Sequence, residues 1–127
     1  MFEITVESAF AAAHRLREYD GNCEHLHGHN WQVELTVAAD ELDGLGLAVD
    51  FRRVREWLSR ALSRFDHAYL NELPDFSTRN PSCELIAKSI FDMIHQTVDS
   101  SDLAKRITVS RVRVWESPGS SVTYRRE

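Results

Sequence analysis

Between Cys23 and Asn30 the chain reads Cys-Glu-His-Leu-His-Gly-His-Asn, crowding three imidazoles and a thiol into eight residues. In an extended segment, residues i, i+2 and i+4 share a face, so His25, His27 and His29 would present their rings side by side. Neutral imidazole is the commonest zinc ligand, and a site kept open for chemistry usually takes three protein ligands and leaves a fourth position to water or substrate. The chain has no Cys-x-x-Cys pair of the kind that closes a structural zinc site. Three histidines without cysteine pairs favour an open, catalytic centre.

Other residues capable of chemistry are dispersed. His14 lies thirteen positions before His27, outside any local finger spacing, and by itself reads equally well as a hydrogen-bonded histidine at a strand end. Asp66-His67 joins a carboxylate to an imidazole. Glu84 falls in the first turn of an expected helix, where a carboxylate also suits the helix dipole. Glu116 ends an apolar strand on its inward phase, where an unpaired charge is expensive, so it must meet a cationic or donor-rich partner.

The elements that would carry these groups follow from periodicity. Phe2, Ile4, Val6 and Phe10 alternate with polar residues as one strand, and Trp31, Val33, Leu35 and Val37 as a second that emerges from the histidines. Asp50 caps a helix whose stripe is Phe51, Val54, Trp57, Leu58, Ala61, Leu62 and Phe65, ending near Asp66-His67. Asn80-Pro81 opens a second helix with proline in its first turn and a stripe of Cys83, Ile86, Ala87, Ile90 and Ile94. Cys83 is then a small core residue. From Ile107 to Glu116 the apolar positions slip from odd to even, which predicts a bulge near Ser110-Arg111. Ser117-Pro118-Gly119-Ser120 turns into a last strand marked by Val122 and Tyr124. The order β-β-α-α-β-β makes one α+β domain over residues 1–127: a four-stranded antiparallel sheet with two helices on one face. Such a sheet has two bare edges, which association would cover.

Composition narrows the partners. A formal charge of −5 excludes a general nucleic-acid binder, although a small anionic substrate fits. Cations are thirteen arginines and two lysines, so arginines and backbone amides are the expected phosphate ligands, with Arg15 a candidate. No apolar run reaches membrane-spanning length and the first residues do not read as a signal peptide, so the expectation is a cytoplasmic protein with reduced thiols and no membrane partner.

The segments Ala12-Ala13-His14-Arg15-Leu16, Cys23-x-x-x-His27-Gly28-His29-Asn30, Asp66-His67-x-x-Leu70-Asn71, Asn80-Pro81-x-x-Glu84 and Val112-x-Val114-x-Glu116 resemble the 6-pyruvoyl-tetrahydropterin synthase family over nearly the whole chain. A cysteine four residues before His-Gly-His is similar to the bacterial 6-carboxy-5,6,7,8-tetrahydropterin synthase branch of queuosine and deazapurine biosynthesis. Biopterin enzymes have a longer spacer, and a folate-linked branch has glutamate at the cysteine position, from which Glu24 is one residue out of register. The resemblance implies Zn²⁺ on His14, His27 and His29, Cys23 as thiolate base, and Asp66 with His67 as proton relay. It also implies Glu116 as anchor for the pterin ring, Glu84 as a pocket residue, and no ligand role for His25. The implied fold is the tunnelling fold, in which protomers join sheets into a barrel, as a hexamer with active sites between subunits. Ser82-Cys83 and Trp115 depart from the family's usual residues, at positions that shape the pocket. The biopterin- or folate-type reaction on the same fold, and a non-catalytic zinc- or pterin-binding paralogue, are the alternatives; the latter would have no use for Cys23 and Asp66-His67.

Overall fold

The structure is a computed structural model that describes residues 1–19 and 25–126. The two alternating segments form long strands, β1 (Phe2–His14) and β2 (His27–Ala39), paired antiparallel from Phe2↔Ala39 to His14↔His27. Helix α1 (Phe51–Leu62) follows, then the two-residue β3 (Ala68–Tyr69), helix α2 (Cys83–Asp99), β4 (Thr108–Ser117) and β5 (Ser120–Tyr124). The sheet order is β3-β1-β2-β4-β5.

The expected four-stranded antiparallel sheet is therefore corrected to a five-stranded mixed one, because β3 pairs parallel to β1 through Ala12↔Ala68 and Ala13↔Tyr69. Two residues are too few to show a period. They are held instead by their neighbours: His67 N–H donates to the Ala11 carbonyl at 2.6 Å, and Ala11 N–H donates to the Asp66 carboxylate at 3.0 Å.

Both helix boundaries also move. α1 stops at Leu62, with turns carrying the chain through Asp66 and His67, the latter at a positive φ of 60°. α2 starts at Cys83, not Pro81, since the Ser82 hydroxyl caps it by accepting Leu85 N–H at 3.2 Å. Asp50 caps α1 as expected, accepting Arg52 N–H.

Strand phase decides which side chains reach the core. Even positions of β1 (Val6, Phe10, Ala12, His14) and odd positions of β2 (Trp31, Val33, Leu35, Val37) are buried on the face that the helices cover. In β4 the register slips where Thr36 faces Arg111 but Val37 faces Val109, so Ser110 is the extra residue of a bulge. That slip brings Val112 and Val114 into the core behind Val109 and sends Glu116 to the same face. α1 closes the core with Val54, Trp57, Leu58, Ala61 and Leu62, and α2 with Ile86, Ala87, Ile90, Phe91, Ile94 and Val98. Most of the opposite sheet face is polar and open, with Glu7, Asn30, Gln32 and Arg113 exposed. Among the described residues no helix is long and apolar enough to cross a membrane.

Candidate active site

His14 and His27 are register partners at the end of the β1–β2 ladder, and His29 follows His27 by one full strand period on the same face. Glu116 reaches them from β4 by virtue of the bulge. The ligand atoms of His14, His27, His29 and Glu116 all lie within 4.8 Å of one another. Nε2 of His14 and Nε2 of His27 are 3.1 Å apart, and Glu116 Oε1 is 2.8 Å from His29 Nε2, 3.4 Å from His14 Nε2 and 3.9 Å from His27 Nε2.

The outer ring nitrogens determine what the inner ones can do. Nδ1 of His14 lies 2.8 Å from the Pro81 carbonyl, and Nδ1 of His27 lies 2.8 Å from the His25 carbonyl. A carbonyl only accepts, so each Nδ1 carries a proton, and in the neutral ring each Nε2 then turns a lone pair towards the other. Two lone pairs at 3.1 Å repel unless a proton or a cation sits between them. His29 Nε2 sharpens the point: it is buried and close to Glu116 Oε1, yet among the described residues it has no partner in hydrogen-bond geometry. Burial is the largest influence on His29, lowering its pKa against the opposing pull of Glu116 and favouring the neutral, ligating form. Two imidazole nitrogens preset in this way, with the enclosed Nε2 of His29 and a carboxylate oxygen beside them, fit a divalent metal ion. The separations scatter around the ~3.4 Å that a tetrahedral ion with ligand bonds of about 2.1 Å would impose.

Trp31 forms the floor of this cluster. Its ring is fully buried, with the indole N–H donating to the Ala12 carbonyl at 3.2 Å and the ring edge-on to His14 at 4.9 Å and His29 at 5.2 Å. On its other side it stacks on Phe10 at 5.8 Å. Alternation marks Trp31 only as a core residue, since the sequence does not reveal that its neighbours are metal-type histidines. The main-chain groups that orient the imidazoles were equally invisible, because a carbonyl has no side-chain signature.

Loop 71–80 is tied to the end of β1 by two side-chain amides. Asn71 accepts Arg15 N–H and donates to the Arg15 carbonyl, both at 3.0 Å; Asn80 does the same for Arg17 at 2.7 and 3.1 Å. The Arg17 guanidinium donates to the carbonyls of Asn71, Phe76 and Arg79. Each amide imitates a strand partner, and together these bonds set where Pro81 meets His14. The signal for them was the Leu70-Asn71 and Asn80-Pro81 motifs.

The remaining expected site residues that the structure describes lie outside the cluster of His14, His27, His29 and Glu116. Asp66 and His67 pair with each other, Asp66 Oδ2 being 3.1 Å from His67 Nδ1, beside the open sheet face; the His67 side chain is 83% exposed. Among the described residues, neither makes an ion pair or hydrogen bond to the three histidines. The Ala11 N–H, ahead of the smaller contribution from His67, holds the Asp66 carboxyl below the ordinary carboxylate range. His67 and His29 line one shallow hollow of about 440 Å³ together with the small residues Ala11, Ala13 and Gly28 and with Asn30. Glu84 is exposed in the first turn of α2. Its neighbour Cys83 is a buried free thiol donating to the Val114 carbonyl at 3.4 Å, its pKa pushed up to about 11 chiefly by burial, with Glu116 adding to the rise. It is the core residue expected. Arg15 has its Nε enclosed without a partner among the described residues. Cys23 lies outside the described residues.

The family model for 6-pyruvoyl tetrahydropterin synthase matches residues 3–127. This chain belongs to that family. A Bacillus subtilis (strain 168) relative named 6-carboxy-5,6,7,8-tetrahydropterin synthase is 36% identical over 98% of this chain and 85% of its own length. A relative of the same name from Synechocystis is 33% identical over 76% of this chain and 77% of its own. Two solved 6-pyruvoyl tetrahydropterin synthases share the fold: that of Plasmodium vivax at a TM-score of 0.80 and 24% identity, over 98% of this chain and 97% of that one, and that of Caenorhabditis elegans at 0.78 and 23%, over 100% and 98%. The sheet and helices that position His14, His27, His29 and Glu116 are thus those of the pterin synthase fold.

Proposed function

We propose that this protein is a zinc-dependent lyase that converts 7,8-dihydroneopterin triphosphate to 6-carboxy-5,6,7,8-tetrahydropterin, acetaldehyde and triphosphate, in queuosine and deazapurine biosynthesis. The observation that carries this reading is the convergence of three imidazole nitrogens, two of them oriented by main-chain carbonyls, and a carboxylate in a pterin synthase fold, in a chain more than a third identical to a bacterial protein named for that activity.

His14, His27 and His29 hold the zinc. When bound, the ion acts as a Lewis acid on the side-chain oxygens of a reduced pterin, easing removal of neighbouring protons. Glu116 anchors the ring, because a carboxylate accepts the amino and ring N–H donors of a pterin in parallel. Cys23 is the base, a thiolate being able to accept a proton near neutral pH when a cation lies close by. His67 is the complementary acid. Asp66, itself held by Ala11 N–H, fixes the Nδ1 side of the His67 ring and leaves the other nitrogen free. Glu84 lines the pocket mouth and Arg15 contacts the triphosphate.

The exposed Asp66–His67 pair gives the assembly its purpose. Beyond Ala11–Ala13, the described residues supply β1 with no strand partner on its outer side, and β5 is the other edge. Protomers join these edges into a barrel as a hexamer, and the Asp66–His67 pair of one subunit completes a neighbour's site. The protein is a single domain over residues 1–127, works in the cytoplasm, and needs neither membrane nor nucleic acid.

Incubating the purified protein with 7,8-dihydroneopterin triphosphate and weighing the products tests the reading. The expected mass is that of 6-carboxytetrahydropterin with acetaldehyde. A 6-pyruvoyl product, a folate-type cleavage product or unchanged substrate would each refute it.

A further inference from the structure

We infer that Arg17 is a positioning residue for the metal site: by gathering three carbonyls of loop 71–80 on one guanidinium it fixes the approach of that loop to His14, and so sets how tightly the ion is held. The inference goes beyond the reading above and rests on one part of it, that His14 is a metal ligand.

Arginines are the residues expected to hold phosphate, yet the half-buried Arg17 is engaged with the main chain. Its Nη1 donates to the Arg79 carbonyl at 3.0 Å, and its Nη2 to the carbonyls of Asn71 at 3.1 Å and Phe76 at 2.9 Å. Among the described residues it forms no ion pair. The chain it grips has only two short 3-10 turns, Leu70–Glu72 and Pro74–Phe76, so these three carbonyls need partners from outside the loop. Arg79 stands two positions before Pro81, whose carbonyl lies 2.8 Å from His14 Nδ1, and three before Ser82, the cap of α2. Between them, the Asn80 amide is bonded to the Arg17 N–H and carbonyl. Arg17 thus holds both residues that lead into Pro81, one through its side chain and one through its main chain. His14 precedes it by three residues on the same segment, so the contacts form a closed ring through His14, Arg17, Arg79, Asn80 and Pro81.

What the ring requires is shape, not charge. A guanidinium presents its donors in a rigid planar fork, whereas an ammonium is one point with three donors on a flexible stem. The fork can hold carbonyls from residues 71, 76 and 79 at fixed mutual distances; the ammonium cannot. Removing a group that orients a ligating histidine typically lowers metal affinity ~10–100-fold, and Arg17 acts one step farther out, through Pro81, so the lower end is expected. A second tie offers a contrast. Arg64 pairs with Asp75 and anchors the same loop to the chain after α1, but six residues before Pro81, so it steadies the loop without directing that carbonyl.

The test loads the full chain with cobalt(II), whose visible absorption reports its ligands, and measures affinity by competition against a chromophoric chelator. Wild type is compared with Arg17→Lys, Arg17→Met, Asp75→Asn and His14→Ala, the fold of each being checked by far-ultraviolet circular dichroism. Arg17→Lys and Arg17→Met should both hold cobalt ~10-fold more weakly and with a shifted visible band. Asp75→Asn, which loosens the same loop, should match wild type. Wild-type affinity in Arg17→Lys would show that charge suffices and overturn the inference. Equal losses in Arg17→Lys and Asp75→Asn would overturn it too, by making the effect one of general loop stability. Should Arg17→Met not fold, Arg17→Lys, which keeps both stem and charge, decides alone. If His14→Ala holds cobalt as tightly as wild type, the ligand reading itself fails, an outcome that no result with Arg17 can imitate.

Discussion

Replacing Trp31 by Phe should separate the protein's stability from the quality of its metal site. The substitution removes the indole N–H that donates to Ala12, the shared pyrrole edge, and much of the packing against His14 and His29, while keeping a ring on Phe10. Losing one buried hydrogen bond is worth ~1 kcal/mol, and the void left by the missing ring atoms a further ~1–2 kcal/mol, so the metal-free protein should lose about 2–3 kcal/mol. The imidazoles lose edge contacts at the same time. Weakened support of ligands typically lowers metal affinity ~10–100-fold, which adds about 1.4–2.7 kcal/mol to the loss when metal is present. Urea unfolding followed by far-ultraviolet circular dichroism, at one protomer concentration, with chelator and with buffered zinc, reads both quantities. A larger loss with zinc than with chelator is the expected result. Equal losses in the two conditions would show that Trp31 is only core filling and would refute its assigned part in the site.

His25→Ala should keep its metal, since only the His25 carbonyl is used, whereas His27→Ala should lose it; metal analysis of the purified proteins decides. Cys23→Ala and His67→Ala should both retain zinc and lose turnover by ~10²–10⁴-fold, and loss of zinc from Cys23→Ala would instead make Cys23 a ligand. In a Cys23→Ala background, Cys83 should resist iodoacetamide near pH 8 in the native state and react on denaturation, as intact mass would show, because burial holds its thiol at about 11. Asp66 should contribute to acid stability with a defined sign. Its folded pKa is depressed chiefly by Ala11 N–H, so its contribution is complete above the ordinary aspartate value of ~3.9 and fades as pH falls through the lower folded value. Asp66→Asn should accordingly flatten the urea-midpoint profile between about pH 5 and pH 2, and an unchanged slope would exclude the bond as its source.

What could be read from the sequence is what repeats or stands out by residue type. Alternation from Phe2 to Phe10 and from Trp31 to Val37 is enough to place β1 and β2, and the helical stripes from Val54 to Leu62 and from Cys83 to Ile94 face the core as expected, whereas Phe51, expected at the head of the first stripe, is exposed at the start of α1. β3 escaped because two residues held by hydrogen bonds to Ala11 have no pattern to show. The start of α2 was misplaced because proline in a first turn and serine as a cap compete for neighbouring positions, and here Ser82 wins by bonding Leu85 N–H. Trp31, Pro81 and the His25 carbonyl escaped for a different reason: their part in the site depends on which strands become neighbours, and no local spacing records that.

The slip in β4 joins the two levels. Ile107 and Val109 are odd-numbered and Val112 and Val114 even-numbered, and the sequence alone implied a bulge between them. Without the extra residue at Ser110, strand period two would place Glu116 on the opposite face from Val109, on the polar side of the sheet and away from the histidines. Such a strand could bury Val109 or present Glu116 to the histidines, but not both. The bulge reconciles a continuous apolar face with a carboxylate aimed at the end of the β1–β2 ladder. A feature that looks like an irregularity of packing is thus a requirement of the site, and it is why the position of Glu116 could be inferred from hydrophobic phase before any distance was known.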